Sequence, residues 1–254
     1  MAIKTKNPYV PGMYARKQLS THSLVERYLR EWEKKRQLRR KAEGVESVQT
    51  PHYICFSRKI GVGAVEIADI LAERIGWKVV DREIMEHIAE ERSLSNKTLE
   101  LFDEKYPGSV NNFASMMFGE KSFTMGDYMR TLTELVSKIA ATGPTIFVGR
   151  ATHLMLPRDN VLAVRLIASR ERRADRVAAI LDISVHEAEK IIDREDKLQR
   201  EFFKKNFGKK DAPPHEFDLV INRDYVEKAL DAAELVHRAY MLKFGTADHD
   251  SKTG

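Results

Sequence analysis

The stretch that decides the fold runs from His52-Tyr-Ile-Cys-Phe56 through Ser57-Arg-Lys-Ile-Gly61-Val-Gly63-Ala64 into Val65-Glu-Ile-Ala-Asp-Ile-Leu-Ala-Glu-Arg74. A short apolar run, a glycine turn and a helix-like run follow one another, as in α/β proteins that bind phosphate. Glycines let the backbone approach an anion, and a helix N-terminus offers free N–H groups and the positive end of a dipole. The pattern predicts a phosphate-binding loop, with a purely structural turn as the alternative.

The turn departs from the usual phosphate loop, which reads G-x-x-x-x-G-K-[ST]. With Gly63 as the second glycine, Ala64 holds the place of the lysine, and Val65 or Glu66 holds that of the hydroxyl residue. The lysine that contacts the β- and γ-phosphates and the hydroxyl that contacts Mg²⁺ are therefore both missing. The motif alone is weak evidence of a ligand.

Composition limits the classes of protein to consider. A chain of 254 residues with 43% hydrophobic residues fits one α/β domain and an appendage. No apolar run approaches the roughly 18 residues of a membrane span, and Met1 is followed by polar and basic residues rather than an apolar leader. The single cysteine, Cys55, lies in an apolar run and predicts a reducing compartment. We therefore expect a cytoplasmic protein without a membrane partner.

The basic charge of the chain lies in its first 50 residues. They contain 12 Lys/Arg against 5 Asp/Glu, a net +7, whereas the remainder contains 31 against 33. We predict one long helix over Tyr14–Glu43 and a linker that ends at residue 50. The basic run at residues 34–41 favours a solvated helix packed on the domain or on a second subunit of a homodimer. Nucleic-acid binding through this run is the less favoured alternative.

Strand-like and helix-like segments alternate from His52 onward. We predict one α/β domain over residues 51–245 and a disordered tail over 246–254. Short apolar runs predict five strands, at Tyr53–Phe56, Lys78–Asp81, Thr145–Gly149, Val161–Ile167 and Asp218–Asn222. Helices are predicted between and after them, at Val65–Ile75, Arg82–Glu91, Asn96–Glu104, Thr124–Ala141, Arg170–Leu181, Ser184–Asn206 and Tyr225–Lys243. This alternation indicates an α/β fold with a five-stranded parallel sheet.

Charged residues follow each predicted strand, where ligands bind in parallel α/β sheets. Cationic side chains predominate, in Arg58 and Lys59, Asp81-Arg-Glu83, Arg150, Ser169-Arg-Glu-Arg-Arg173 with Arg176, and Asn222-Arg-Asp224. Arginine binds phosphate oxygens in pairs, so their convergence beside the glycine turn predicts a phosphorylated ligand.

Four motifs in this order resemble the cytidylate kinase-like family, a divergent branch of the nucleoside monophosphate kinases within the P-loop fold. They are Ser57-Arg-Lys-Ile-Gly-Val-Gly-Ala64, Val80-Asp-Arg-Glu83, Val148-Gly-Arg150 and Phe217-Asp-Leu-Val-Ile-Asn222. The resemblance covers roughly residues 52–244. It implies a three-layer P-loop NTPase-type fold with an acceptor-binding insert at about 83–141 and a helical lid at about 182–214.

The resemblance also implies roles for individual residues. ATP with Mg²⁺ would be the donor, lying against Ser57, Arg58, Gly61, Val62, Gly63 and Ala64. Asp81 and Arg150 would border the acceptor. The implied catalytic cations are Arg58, Arg150, Arg173, Arg176 and Arg200. No residue is assigned as a metal ligand, although Glu66 could hold a metal-bound water. In the lid segment Asp193–Arg200, Gln199 holds a place that is often arginine in the family, and Arg200 comes one residue later.

Two functions remain open at this point. The first is a kinase that transfers the γ-phosphoryl group of ATP to a nucleoside monophosphate, with CMP as the first acceptor to consider. The second is a nucleotide-binding regulatory module with little or no turnover, acting through its basic N-terminal helix. In both, the partner is a nucleotide or another small phosphorylated molecule. The missing lysine favours the second function, whereas Arg150 and the arginine-rich lid favour the first.

Overall fold

A computed structural model describes residues 52–90 and 127–245 of the chain, together with Arg30 and Lys34. Five strands form one parallel sheet in the order β2-β3-β1-β4-β5. They are β1 (Tyr53–Arg58), β2 (Lys78–Asp81), β3 (Thr145–Val148), β4 (Val161–Ile167) and β5 (Leu219–Asn222). The helices are α1 (Ala64–Ile75), α2 (Arg82–Glu90), α3 (Asp127–Ala141), α4 (Arg170–Leu181), α5 (Val185–Phe207) and α6 (Ala229–Phe244).

Helices cover both faces of this sheet. Ile54, Cys55 and Phe56 follow one another in β1 and are all buried, although successive strand side chains point to opposite faces. In register, Tyr53 lies opposite Thr145 of β3 and Val161 of β4, so the three central strands begin at one level. Helix α1 packs on α6, α2 on α3, and α4 on α5. The carboxyl ends of the strands therefore form one edge for a ligand.

Local signals in the sequence set the ends of the lid helix. Ser184 caps α5 through a capping box with Glu187, and the serine hydroxyl accepts from the Glu187 N–H at 3.3 Å. Gly208 ends the helix with a φ of +65°, a left-handed conformation that glycine adopts without steric cost. Ser169 likewise caps α4 by accepting from the Arg172 N–H.

Asp218 fastens the amino-terminal side of the sheet. Its carboxylate accepts two hydrogen bonds from Arg158, at 2.9 and 2.8 Å, and one from Lys243 at 2.8 Å. It also accepts from the Ala163 N–H at 2.8 Å. Burial alone would raise the pKa of Asp218, but these hydrogen bonds outweigh it and lower the pKa. One carboxylate thus joins β4, β5 and the end of α6.

The five predicted strands and the α/β class are confirmed, with shifts at some element ends. Strand β1 continues through Ser57 and Arg58 because both pair with β4. The last helix begins at Ala229 rather than Tyr225, since Arg223 binds the carbonyl groups of the preceding loop. The predicted helices Tyr14–Glu43 and Asn96–Glu104 and the tail at 246–254 lie outside the described residues, apart from the helical Arg30 and Lys34.

Membrane-spanning helices were sought in the same part of the chain. None of the helices described there is long and apolar enough to cross a bilayer.

Candidate functional site

The turn between β1 and α1 has the backbone that its glycines allow. Gly61 and Gly63 have φ values of +86° and +79°, in the left-handed region. A Cβ at Gly61 would lie 2.8 Å from the carbonyl oxygen of Arg173, so no larger residue fits there. Gly63 precedes α1 and has no side chain to cap it, so the first N–H groups of the helix face the turn. This is the geometry that the sequence predicted for a phosphate loop.

Two arginines from other elements close around this turn. Arg176 of α4 pairs with Glu66 of α1 at 2.7 Å, and its guanidinium would lie 3.2 Å from a Cβ at Gly63. The buried Arg223, after β5, donates to the carbonyl oxygen of Val62 at 3.3 Å. Burial and the nearby charges of other arginines lower the pKa of Arg223. Arg176 therefore places a cation beside the turn, although Ala64 supplies none.

Arg173 is held in a different way from Arg176. Its guanidinium is buried and makes two hydrogen bonds of 3.0 Å to the carboxylate of Asp196 in α5. It also donates to the carbonyl oxygen of Ile60 at 3.4 Å. Arg173 thus links α4, α5 and the glycine turn. The catalytic role that the resemblance implies for Arg173 stays a prediction.

A pocket of about 390 Å³ opens at the carboxyl ends of β1, β2 and β3. It adjoins the glycine turn, because Ser57 and Ile60 line it. The lining side chains that carry polar or aromatic groups include Arg58, Arg82, Arg150, Glu195, Gln199 and Phe202. Three guanidinium-bearing residues from three different strand ends therefore meet in one cavity.

Arg150 enters the pocket from an unusual backbone. Gly149, Arg150 and Ala151 have φ values of +93°, +50° and +55°, so three successive residues are left-handed. The Gly149 N–H donates to the carbonyl oxygen of Phe56 at 2.8 Å. The Arg150 guanidinium lies 4.6 Å above the ring of Phe202.

The charge of Arg150 is disfavoured where it stands. Burial, followed by the charges of Arg82 and Arg58, lowers the pKa of Arg150 to about 9. An anion in the pocket would remove this repulsion and stabilise all three cations. The cavity is thus electrostatically prepared for a negatively charged ligand.

Two carboxyl groups lie beside the arginines at the start of α2. Asp81 is fully buried and accepts from the Ile84 N–H at 3.0 Å, in the manner of a helix cap. Burial and the neighbouring charge of Asp81 raise the pKa of Glu83 to about 7, against the opposing charges of Arg82 and Arg58. Glu83 therefore changes protonation near neutral pH at the edge of the arginine pocket.

The lid helix α5 reaches the pocket through residues other than the predicted arginine. Gln199 lines the pocket and donates from Nε2 to the carbonyl oxygen of Arg58 at 3.0 Å. Arg200 is exposed and does not line the cavity. Glu195 pairs with Arg82 at 3.4 Å. The structure thus brings Arg58 and Arg150 together and leaves Arg200 apart from them.

Sequence reasoning assigned no individual role to several residues that shape the site. Arg82 and Arg223 stand at strand ends, which was a usable signal, but Glu195 and Phe202 depend on how α5 is rotated. Buried Arg165 gave no signal, because it lies inside β4. It donates to the Ser57 hydroxyl at 3.2 Å and to Asp211 at 2.9 and 3.0 Å, and so supports the floor of the pocket.

The sheet order, the glycine turn after β1 and the helical lid together define a P-loop kinase-type α/β fold. A sequence profile of the cytidylate kinase-like family matches residues 53–225. The chain therefore belongs to the cytidylate kinase-like family, as its four motifs predicted. A comparison with curated protein sequences finds no significant match.

One solved structure shares the fold at low sequence identity, and two kinases are more distantly similar. An uncharacterized protein from Eubacterium ventriosum is 20% identical, with a TM-score of 0.51 over 72% of this chain and 99% of that chain. Shikimate kinase from Bacteroides thetaiotaomicron is 14% identical, with a TM-score of 0.41 over 75% and 97%. A gluconokinase from Sinorhizobium meliloti is also 14% identical, with a TM-score of 0.41 over 76% and 98%.

Proposed function

We propose that the protein transfers the γ-phosphoryl group of ATP to a nucleoside monophosphate, with CMP as the first acceptor to test. The observation that carries the proposal is the convergence of Arg58, Arg82 and Arg150 in a pocket beside the glycine turn. A phosphate monoester can accept paired hydrogen bonds from several guanidinium groups at once. Membership of a kinase-like family supports transfer from a nucleotide rather than binding alone.

Phosphoryl transfer mainly requires the protein to position the reacting groups and to supply positive charge. Its transition state is loose and spreads negative charge over the peripheral oxygens, so no covalent nucleophile is needed. The N–H groups at the start of α1, with Arg176, would hold the donor phosphates, and the pocket arginines would hold the acceptor phosphate. Helix α5 covers the pocket and would exclude water from the reacting groups.

The described residues are compatible with Mg²⁺ bound chiefly through ATP. This ion commonly keeps several waters and takes the rest of its ligands from phosphates and one or two carboxylates. Within residues 52–90 and 127–245, no group of three carboxyl, histidine or cysteine side chains gathers as a metal site. Glu66 is a candidate for a metal-bound water, provided that its pairing with Arg176 opens. Mg²⁺ would supply neutralisation of the charge on the donor phosphates.

A second function has specific support from the same site. Ala64 leaves the glycine turn without its lysine, and Gln199 faces the pocket where the family often has arginine. Each substitution removes a cation that would stabilise the transferring phosphate. A nucleotide-binding module with little or no turnover would retain the pocket but lack these charges.

The two functions differ in what they predict for turnover and binding. ADP release should be measured in a coupled assay with ATP, Mg²⁺ and a panel of nucleoside monophosphates, and nucleotide binding should be measured in parallel by calorimetry. The proposal predicts turnover with at least one acceptor, lost in Arg58→Gln but kept in Arg238→Gln, whose side chain is exposed on α6 outside the pocket. Binding without ADP release for any acceptor would favour the regulatory module. If the protein shows no nucleotide binding and no turnover, both functions are refuted.

A further inference from the structure

One face of the lid helix contacts all three arginines of the pocket. Glu195, Gln199 and Phe202 are spaced four and three residues apart, so they lie on the same side of α5. Glu195 pairs with the side chain of Arg82, and Gln199 donates to the backbone carbonyl of Arg58. The Phe202 ring lies under the guanidinium of Arg150. Three contacts along one face of α5 therefore hold this helix over the pocket.

Glu195 differs from the other two residues because it brings a negative charge into this cationic cavity. Its side chain is only 11% exposed, and that of Arg82 is 24% exposed. Its charge also acts on Arg150, where it opposes the repulsion from the neighbouring arginines. A ligand phosphate would need the same guanidinium groups that Glu195 now neutralises.

The contact between Glu195 and Arg82 is suited to displacement. Its N···O distance of 3.4 Å exceeds the roughly 2.7–2.9 Å of a strong charge-assisted hydrogen bond, and a single oxygen takes part. A phosphate offers more oxygen atoms and up to two charges, so it can contact several guanidinium groups together. The phosphate would therefore replace the carboxylate at a gain in Coulomb energy.

We propose that Glu195 is a built-in competitor for the arginine pocket. It holds α5 on the pocket in the absence of ligand, and a phosphate monoester must displace its carboxylate in order to bind. The affinity for the ligand then depends on how much more strongly the arginines bind a phosphate than they bind the Glu195 carboxylate. This inference rests on the proposed function, because it takes the pocket to be the acceptor phosphate site.

The test compares Glu195→Gln with wild type in the full-length protein. Calorimetry should measure the binding of inorganic phosphate and, separately, of CMP. Glu195→Gln keeps the size of the side chain and removes its charge, so both probes should bind about 5- to 30-fold more tightly. Glu201→Gln is the matched control, since Glu201 is exposed on the same helix, does not line the pocket, and carries the same charge. It should leave both affinities unchanged.

A conservative variant separates competition from a purely structural role. Glu195→Asp retains the competing charge on a shorter side chain, so its affinity for phosphate should lie between those of wild type and Glu195→Gln. Thermal melts without ligand should show that all three variants are folded. If Glu195→Gln is misfolded, Glu195→Asp alone must still bind phosphate more tightly than wild type for the inference to stand.

The remaining outcomes decide the inference and the proposed function separately. Weaker phosphate binding by Glu195→Gln would mean that Glu195 orders Arg82 for the ligand. Equal binding by Glu195→Gln and wild type would mean that Glu195 does not compete. If neither wild type nor any variant binds phosphate, both the competition by Glu195 and the acceptor site are refuted. Tighter binding by Glu195→Gln without ADP release would support the competitor and refute phosphoryl transfer.

Discussion

Replacing Asp196 by asparagine tests how strongly the lid helix is fastened to the rest of the domain. The Arg173 and Asp196 side chains are 6% and 11% exposed and make two hydrogen bonds of 3.0 Å. Removing one partner of a buried pair typically costs 3–5 kcal/mol, because the other charge stays buried without compensation. Asparagine keeps one acceptor, and Arg173 also contacts the Ile60 carbonyl, so we expect Asp196→Asn to lower the free energy of unfolding by about 2–4 kcal/mol.

A second ion pair between the same two helices provides the control. Arg170 of α4 pairs with Asp193 of α5 at 3.0 Å, but the two side chains are 42% and 65% exposed. Solvent screens such a pair, so Asp193→Asn should leave stability within the error of the measurement. Urea unfolding of both variants, with the slope m compared to wild type, gives the two free energies. Equal losses for Asp193→Asn and Asp196→Asn would refute the claim that burial makes the Arg173–Asp196 pair the stronger link between the two helices.

Three further predictions concern the pocket, the glycine turn and the sheet. Arg150→Lys keeps a positive charge but loses the planar guanidinium group, so kcat/KM for the acceptor should fall about 30- to 1000-fold with little change in ATP affinity. An equal loss of ATP affinity would place Arg150 on the donor side. Gly61→Ala should destabilise the protein by about 2–4 kcal/mol, because the new Cβ would meet the backbone of Arg173. Gly76→Ala is the control: Gly76 has a φ of +69° and open space around it, so this change should cost about 1 kcal/mol in the same urea assay. Equal costs would contradict the close contact at Gly61. Asp218→Asn should cost about 1 kcal/mol at pH 7 after allowance for solvent screening. Because the pKa of Asp218 is lowered on folding, its contribution is present above the ordinary pKa of about 4 and is lost as pH falls through the lowered value. The cost should therefore shrink progressively in unfolding measurements at pH values below about 4.

Strand positions were predictable because each strand is a nearly continuous apolar run. Such a run marks a strand covered on both faces, and the buried series Ile54, Cys55 and Phe56 shows that cover directly. The ends were harder to predict, since charged residues can remain in a strand. Arg58 is an example, because it lies beyond the predicted end of β1 at Phe56 and still pairs in register with Leu166 of β4.

The site was predictable where position along a strand determines location in space. Arg58 ends β1 and Arg150 follows β3, and these strands are neighbours in the sheet, so their meeting in one pocket follows from topology. The location of the lid residues cannot be predicted in this way, because the side chains that face the pocket depend on how α5 is oriented about its own axis. The resemblance implied Arg200 as a catalytic cation of the lid, but α5, packed on α4, presents Gln199 to the pocket instead.

The left-handed backbone at Arg150 has a consequence for protein engineering. Glycine adopts a φ of +50° without steric cost, whereas other residues pay on the order of 1 kcal/mol or more for it. Arg150→Gly would therefore relax the loop after β3 and also remove the repulsion that Arg150 experiences from Arg82 and Arg58. A screen for heat-resistant variants would favour this change, and it would remove from the pocket one of the three guanidinium groups that suit it to an anion. Selection for thermostability and selection for ligand binding thus act in opposite directions at this residue.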